Sequence, residues 1–151
     1  MALILSGDTG PSFVQAAALP TGSVLQVVSA NTNTTTSNAS SSAVPATNLS
    51  VSITPRSASN KILVMASLPA TAANGNGNYY FARNGSVIGA TEKFVSAGGT
   101  GTQFAISISY LDSPSTTSAT TYQVYFNAGS STMYVNQNGA YSTITAMEVA
   151  G

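Results

Sequence analysis

From Ser23 onward the chain is written in short runs that alternate apolar and polar residues, and no stretch after residue 22 repeats with the period of a helix. Successive side chains of a strand point to opposite faces, so each run makes a strip with one buried side and one wet side. Leu49, Val51 and Ile53 alternate with Ser50, Ser52 and Thr54. Phe104, Ile106, Ile108 and Tyr110 alternate with Ala105, Ser107 and Ser109. Tyr122, Val124 and Phe126 face away from Gln123 and Tyr125, and Ile144, Ala146 and Glu148 face away from Thr143, Thr145 and Met147. Lys61 to Leu68 is a near-continuous apolar run (Ile62, Leu63, Val64, Met65), the pattern of a central strand covered on both faces.

Turn chemistry separates the runs. Asn84-Gly85, between strand-like segments 78–83 and 86–91, is the strongest hairpin signal, because both positions tolerate positive φ. Residues 55–60 and 112–117 read as turns, and 71–78 and 97–102 as Gly/Asn-rich loops. The Ser/Thr/Asn stretch from Asn31 to Ala46 reads as an exposed edge strand with a loop or as one long loop, and Ser131–Asn136 as a further strand. The sum is roughly eight to ten short strands, an all-β chain best accommodated by a jelly-roll β-sandwich. No fixed-period repeat points to a propeller or solenoid.

Residues 1–22 differ from the rest. Ala2 to Leu5 has the makings of a very short strand, 6–11 of a turn, and Phe13 to Leu19 of a turn or two of helix stopped by Pro20. This segment is too short to pack on itself, yet it carries Leu3, Ile4, Leu5, Phe13 and Val14. It therefore reads as an arm, residues 1–22, whose apolar side chains dock on another protein, ahead of one β domain at 23–151.

The composition removes most function classes. The chain has no histidine, cysteine or tryptophan, and charged residues make up 5% of it. General acid–base chemistry and transition-metal sites draw on the missing residues. The carboxylates, Asp8, Glu92, Asp112 and Glu148, show no spacing that pairs them in a cleft, and read as solvated or salt-paired surface groups. A glycan hydrolase built on Glu92 or Asp112 is the weakest of the readings. The Asn74–Asn78 amides lack the charge of a calcium loop, and the glycines at 98, 99 and 101 are turn residues rather than a phosphate cradle. No cofactor is expected. Arg56, Lys61, Arg83 and Lys93 are too scattered to bind nucleic acid, and no apolar run approaches a membrane span. Sequons at Asn33, Asn38, Asn48 and Asn84 are the chance product of a Ser/Thr/Asn-rich chain without a leader peptide.

Seven tyrosines and five phenylalanines remain. Most belong to the core, but Tyr125 and Tyr134 point opposite to their strands' apolar faces, which makes them candidates for a subunit interface. A formal net charge of zero fits a protein that is already assembled. The rival reading is a receptor-binding module that stacks host-surface glycan on Tyr79, Tyr80 and the Asn/Gly loops.

Four stretches resemble a group of small virion proteins of tailed bacteriophages, particularly those of marine and cyanobacterial hosts. The opening Met1-Ala-Leu-Ile-Leu-Ser-Gly-Asp-Thr-Gly-Pro11 with Ala18-Leu-Pro-Thr-Gly-Ser-Val-Leu-Gln-Val27 is similar to their amino-terminal module. Ser52-Ile-Thr-Pro-Arg-Ser-Ala-Ser-Asn-Lys-Ile-Leu-Val64, Ser109-Tyr-Leu-Asp-Ser-Pro114 with Thr121-Tyr122, and Ser142-Thr-Ile-Thr-Ala-Met-Glu-Val-Ala-Gly151 are similar to their β domain. Residues 70–103 match loosely. The resemblance implies a jelly roll of the tumour-necrosis-factor and C1q type that forms a homotrimer. It implies a place on the outer surface of a phage particle, as head decoration (cement) protein, head fibre or tail fibre, after synthesis in the host cytoplasm. The partners it implies are further copies of the chain and capsid or tail adaptor proteins. It transfers no catalytic residues. The near absence of shaft sequence between arm and domain favours a compact decoration protein or short fibre, with loops 70–78 and 96–103 directed away from the particle.

Overall fold

The alternating runs become strands because each has a core to bury one face in. The computed structural model describes residues 19–72, 76–95 and 103–151. Its strands are β1 (Val24–Thr32), β2 (Thr36–Asn38), β3 (Val44–Ile53), β4 (Lys61–Ala72), β5 (Asn76–Arg83), β6 (Ser86–Val95), β7 (Gln103–Asp112), β8 (Thr120–Ala128), β9 (Met133–Val135) and β10 (Ser142–Val149). The one helical feature among the described residues is a 3-10 turn at Gln137–Gly139. The expected arm strand at Ala2–Leu5, the docking residues Leu3, Ile4, Leu5, Phe13 and Val14, and most of the expected helix at Phe13–Leu19 lie outside the described residues.

The strands form two antiparallel sheets. The first runs β1-β10-β4-β7, with β9 pairing the far end of β4 and β2 pairing β9. The second runs β3-β8-β5-β6. The partners are nested in sequence: β5 with β6, β4 with β7, β3 with β8, and β1 with β10. A hairpin whose successive strand pairs wrap alternately into two facing sheets is a jelly roll.

The core lies between the sheets. β4 contributes Ile62, Val64, Ala66 and Leu68, β3 contributes Leu49, Val51 and Ile53, and β10 contributes Ile144 and Ala146. Beside β3 in the second sheet, and so opposite β4 and β10, Tyr79 on β5 and Phe126 on β8 stack with ring centroids 6.0 Å apart at 12°. Asn84 and Gly85 take φ of 49° and 83°, the two-residue turn expected between β5 and β6. Asn84 is fixed further by its backbone N–H to Thr121 O and by its Oδ1, which accepts from Thr121 N–H.

Two local expectations change. Residues 71–78 are not one loop: Thr71 and Ala72 extend β4 and Asn76–Asn78 begin β5. Ladders supply the reason, Thr71 pairing with Gln103 and Tyr134, and Gly77 with Ala128 and Phe94. More consequentially, β4 is central in its sheet but covered on one face only. Leu63 and Met65 point outward and stay half-buried.

Candidate functional site

The sequence suggested solvated or salt-paired surface groups; both described carboxylate side chains are instead buried, Asp112 in the salt pair that reading allowed and Glu148 in none. Glu148 is 0% exposed and has no ion-pair partner among the described residues; its Oε1 accepts from Asn60 Nδ2 and from the Arg56 backbone N–H, and its Oε2 from Gln26 Nε2, each at 2.6 Å. Burial alone pushes its carboxyl up. The three donors, with the positive charge of Arg56, outweigh burial and hold it below the ordinary glutamate value. The reason for the inward position was legible: period two places Glu148 on the face of Ile144 and Ala146.

Asp112 ends β7 in the first sheet. Arg83 Nη1 from β5 donates to both its oxygens at 3.1 and 3.0 Å, and the buried Tyr122 hydroxyl from β8 donates to Oδ2 at 2.7 Å. Burial first, then this hydrogen bond and the Asp112 charge, raise the Tyr122 hydroxyl well above the ordinary phenol value, against the opposing effect of Arg83. Tyr79 is raised by burial alone. A third polar hub is Asn136, 0% exposed, whose side chain donates to Thr32 O and Thr34 O and accepts from Ser142 Oγ.

These hubs gather residues distant in sequence: Gln26, Arg56 and Asn60 meet at the Glu148 carboxylate, and Arg83 and Tyr122 at that of Asp112, so that they clamp strand ends and tie the two sheets together. Saturated, buried carboxylates of this kind have no open side toward a substrate. Among the described residues no group of three or more His, Cys, Asp or Glu could hold a metal. No helix among them is long and apolar enough to cross a membrane.

The outer faces of the sheets differ. On the first sheet, register aligns Val27, Met147, Leu63 and Leu111 in one row across four strands. Val27 is 54% and Leu111 49% exposed. The next rows are Ser29, Thr145, Met65, Ser109 and then Asn31, Thr143, Ser67, Ser107. None of these positions is charged. A depression of about 400 Å³ lies between the latter rows, floored by Met65 and rimmed by Ser67, Ser107, Ser109, Thr143 and Thr145. The second sheet's outer face satisfies itself instead: Ser52 and Thr121 hydroxyls pair at 2.7 Å, Asn78 Nδ2 donates to Asn127 Oδ1 at 2.9 Å, and Gln123 Nε2 donates to Ala46 O. Of the four, sequence alternation marked only Met147 as outward, and only the strand register shows that they form a row.

The tyrosines divide accordingly. Tyr125 lies on the second sheet beside Tyr80, and Tyr134 on the β9 extension of the first, both half-buried between fully buried neighbours. They sit on different sheets, so the structure does not bring them together. Tyr79 is 0% exposed and cannot stack on a glycan, which corrects its place in the receptor-binding reading. Tyr141, 67% exposed, is the most open large apolar side chain among the described residues and was not singled out from sequence.

No protein-family model and no curated protein matches the chain. Solved structures give similarities of low identity. Particles derived from infectious bursal virus match at 11% identity over 83% of this chain and 36% of that one, with a TM-score of 0.46. The T13 infectious bursal disease virus particle matches at 15% identity over 83% and 36%, with a TM-score of 0.44. Latent PorU from Porphyromonas gingivalis matches at 11% identity over 87% and 14%, with a TM-score of 0.36. The chain thus spans about a third of the length of the virus-particle chains it matches. These similarities assign no function.

Proposed function

We propose that this chain is a non-enzymatic structural subunit of a virion that associates with copies of itself through the outer face of the first sheet. The observation that carries the self-association is the row Val27, Met147, Leu63, Leu111. β4 has the apolar sequence of a strand buried on both faces, and one of those faces is open. A neutral partner fits three successive rows without charge, bordered at one end by the exposed Lys61, and the nearest neutral partner is a second copy of a chain whose own formal net charge is zero. Covering the exposed halves of Val27 and Leu111 is worth roughly 1 kcal/mol each.

The virion setting rests on the four resembling stretches. In that setting the subunit is a homotrimeric head decoration protein or short fibre, held to capsid or tail adaptor proteins by residues 1–22. A cyclic trimer uses two different patches of each subunit, which leaves room for Tyr125 and Tyr134 at subunit boundaries although they lie on different sheets.

Two measurements test the proposal. Sedimentation equilibrium of the purified chain is expected to give a trimer mass, and a monomer at every concentration overturns the self-association. Quantitative mass spectrometry of purified particles is expected to find the chain at a copy number comparable to the major capsid protein for decoration, or at tail-component level for a fibre. Absence from the particle overturns the virion setting.

A further inference from the structure

We infer that Asn138-Gly139 is a site of spontaneous backbone modification, at which the chain loses an amide and gains a negative charge. Asn-Gly is the sequence in which a following backbone nitrogen most easily reaches a side-chain amide, since glycine places no side chain in the path. In this reaction the Gly139 nitrogen attacks Asn138 Cγ. The N–Cγ bond forms, the Cγ–Nδ2 bond breaks, and ammonia leaves carrying the proton from the Gly139 amide. Water then opens the cyclic imide at either carbonyl, giving aspartate or its β-linked isomer.

The dipeptide also occurs at Asn74-Gly75, Asn76-Gly77 and Asn84-Gly85; Asn74-Gly75 lies outside the described residues, and the structure separates the other three. Asn84 is held by two hydrogen bonds to Thr121 within a tight hairpin. Gly77 is in a central strand, paired on one side with Phe94 and on the other with Ala128, and Asn76 O accepts from Gly129 N–H at 2.6 Å. Asn138 is exposed and makes no side-chain hydrogen bond to a described residue. Its 3-10 turn is closed by one long bond, Ala140 N–H to Gln137 O at 3.5 Å. Asn136 and Gln137 are anchored, Asn136 by its buried side chain and Gln137 by Gln103 Nε2 on its carbonyl, whereas Asn138, at φ of 60°, is the exposed left-handed residue beyond those anchors. The attack requires the turn to open, and local opening is easiest where hydrogen bonds are few and exposed. The product places a negative charge on a subunit that otherwise has a formal net charge of zero.

Incubating the full chain in mildly alkaline buffer and following each Asn-Gly peptide by mass spectrometry tests this. Asn138 is expected to convert at least about tenfold faster than Asn84 and Asn76 in the folded protein. In denaturant the three rates are expected to converge. Equal or faster conversion at Asn84 or Asn76 in the folded state overturns the inference, as does an ordering that persists unchanged in denaturant.

Discussion

The Tyr122 hydroxyl donates to Asp112 Oδ2 at 2.7 Å, and with that bond a residue of the second sheet closes on the end of a strand in the first. Arg83 reaches the same carboxylate from β5, so one buried anion holds side chains from both layers. Removing one donor is expected to cost less than removing the acceptor. Tyr122→Phe strips one hydrogen bond from a buried charge and is expected to lower stability by about 1–2 kcal/mol. Asp112→Ala leaves Tyr122 without its acceptor and Arg83 without its ion pair, and is expected to cost roughly 3 kcal/mol, near the lower end for a broken buried pair because Arg83 is 33% exposed and can rehydrate. Urea unfolding of the two variants checks the order.

Glu148 gives the protein its acid sensitivity. Its carboxyl is held below the ordinary value, so folding favours the ionised form. The resulting stability is complete above the unfolded value of about 4.3 and is lost as pH falls through the lower folded value. Urea midpoints are expected to be flat between roughly pH 5 and 8, where no histidine titrates, and to fall in acid. Glu148→Gln replaces one accepting oxygen by an amide N–H donor facing donors already aimed at it, lowers the midpoint at neutral pH, and flattens the acid limb. An unchanged acid limb in that variant contradicts the assignment.

Gly89 is expected to be irreplaceable for two reasons at once. It has φ of +73°, and a Cβ there would lie 2.6 to 2.8 Å from atoms of the Tyr110 ring on β7. Gly22 has φ of +91° but nothing within 4 Å of such a Cβ. Gly89→Ala is expected to cost roughly 2–4 kcal/mol and Gly22→Ala roughly 1–2 kcal/mol. Melting temperatures of the two variants, measured side by side, compare strain with clash against strain alone.

Much of this fold was legible because one rule, period two, carries it. The inward sets Leu49-Val51-Ile53, Phe104-Ile106-Ile108-Tyr110 and Tyr122-Val124-Phe126 point inward as read, and Asn84-Gly85 forms its hairpin turn. Asp112 and Glu148 were legible too: each is the next inward member of an alternating series, after Tyr110 and Ala146. Their charge argued for the surface, and that argument ignored donors arriving from 26, 56, 60, 83 and 122, residues distant in sequence. The row on the first sheet was beyond sequence reading for another reason. Val27, Leu63, Leu111 and Met147 belong to four strands, and a one-residue change of register would scatter them. Tyr79 was misjudged because its burial depends on which of Tyr79 and Tyr80 faces Phe126.

The most direct test of the account is the mass in solution of the wild-type chain and of a Val27→Asp, Leu111→Asp double variant, by sedimentation equilibrium. Both positions are about half exposed, so the variant is expected to keep the wild-type circular dichroism spectrum and to melt within about 1 kcal/mol of it. The account predicts a trimer for the wild type and a folded monomer for the variant. A monomeric wild type, or a folded variant that keeps the wild-type mass, contradicts it.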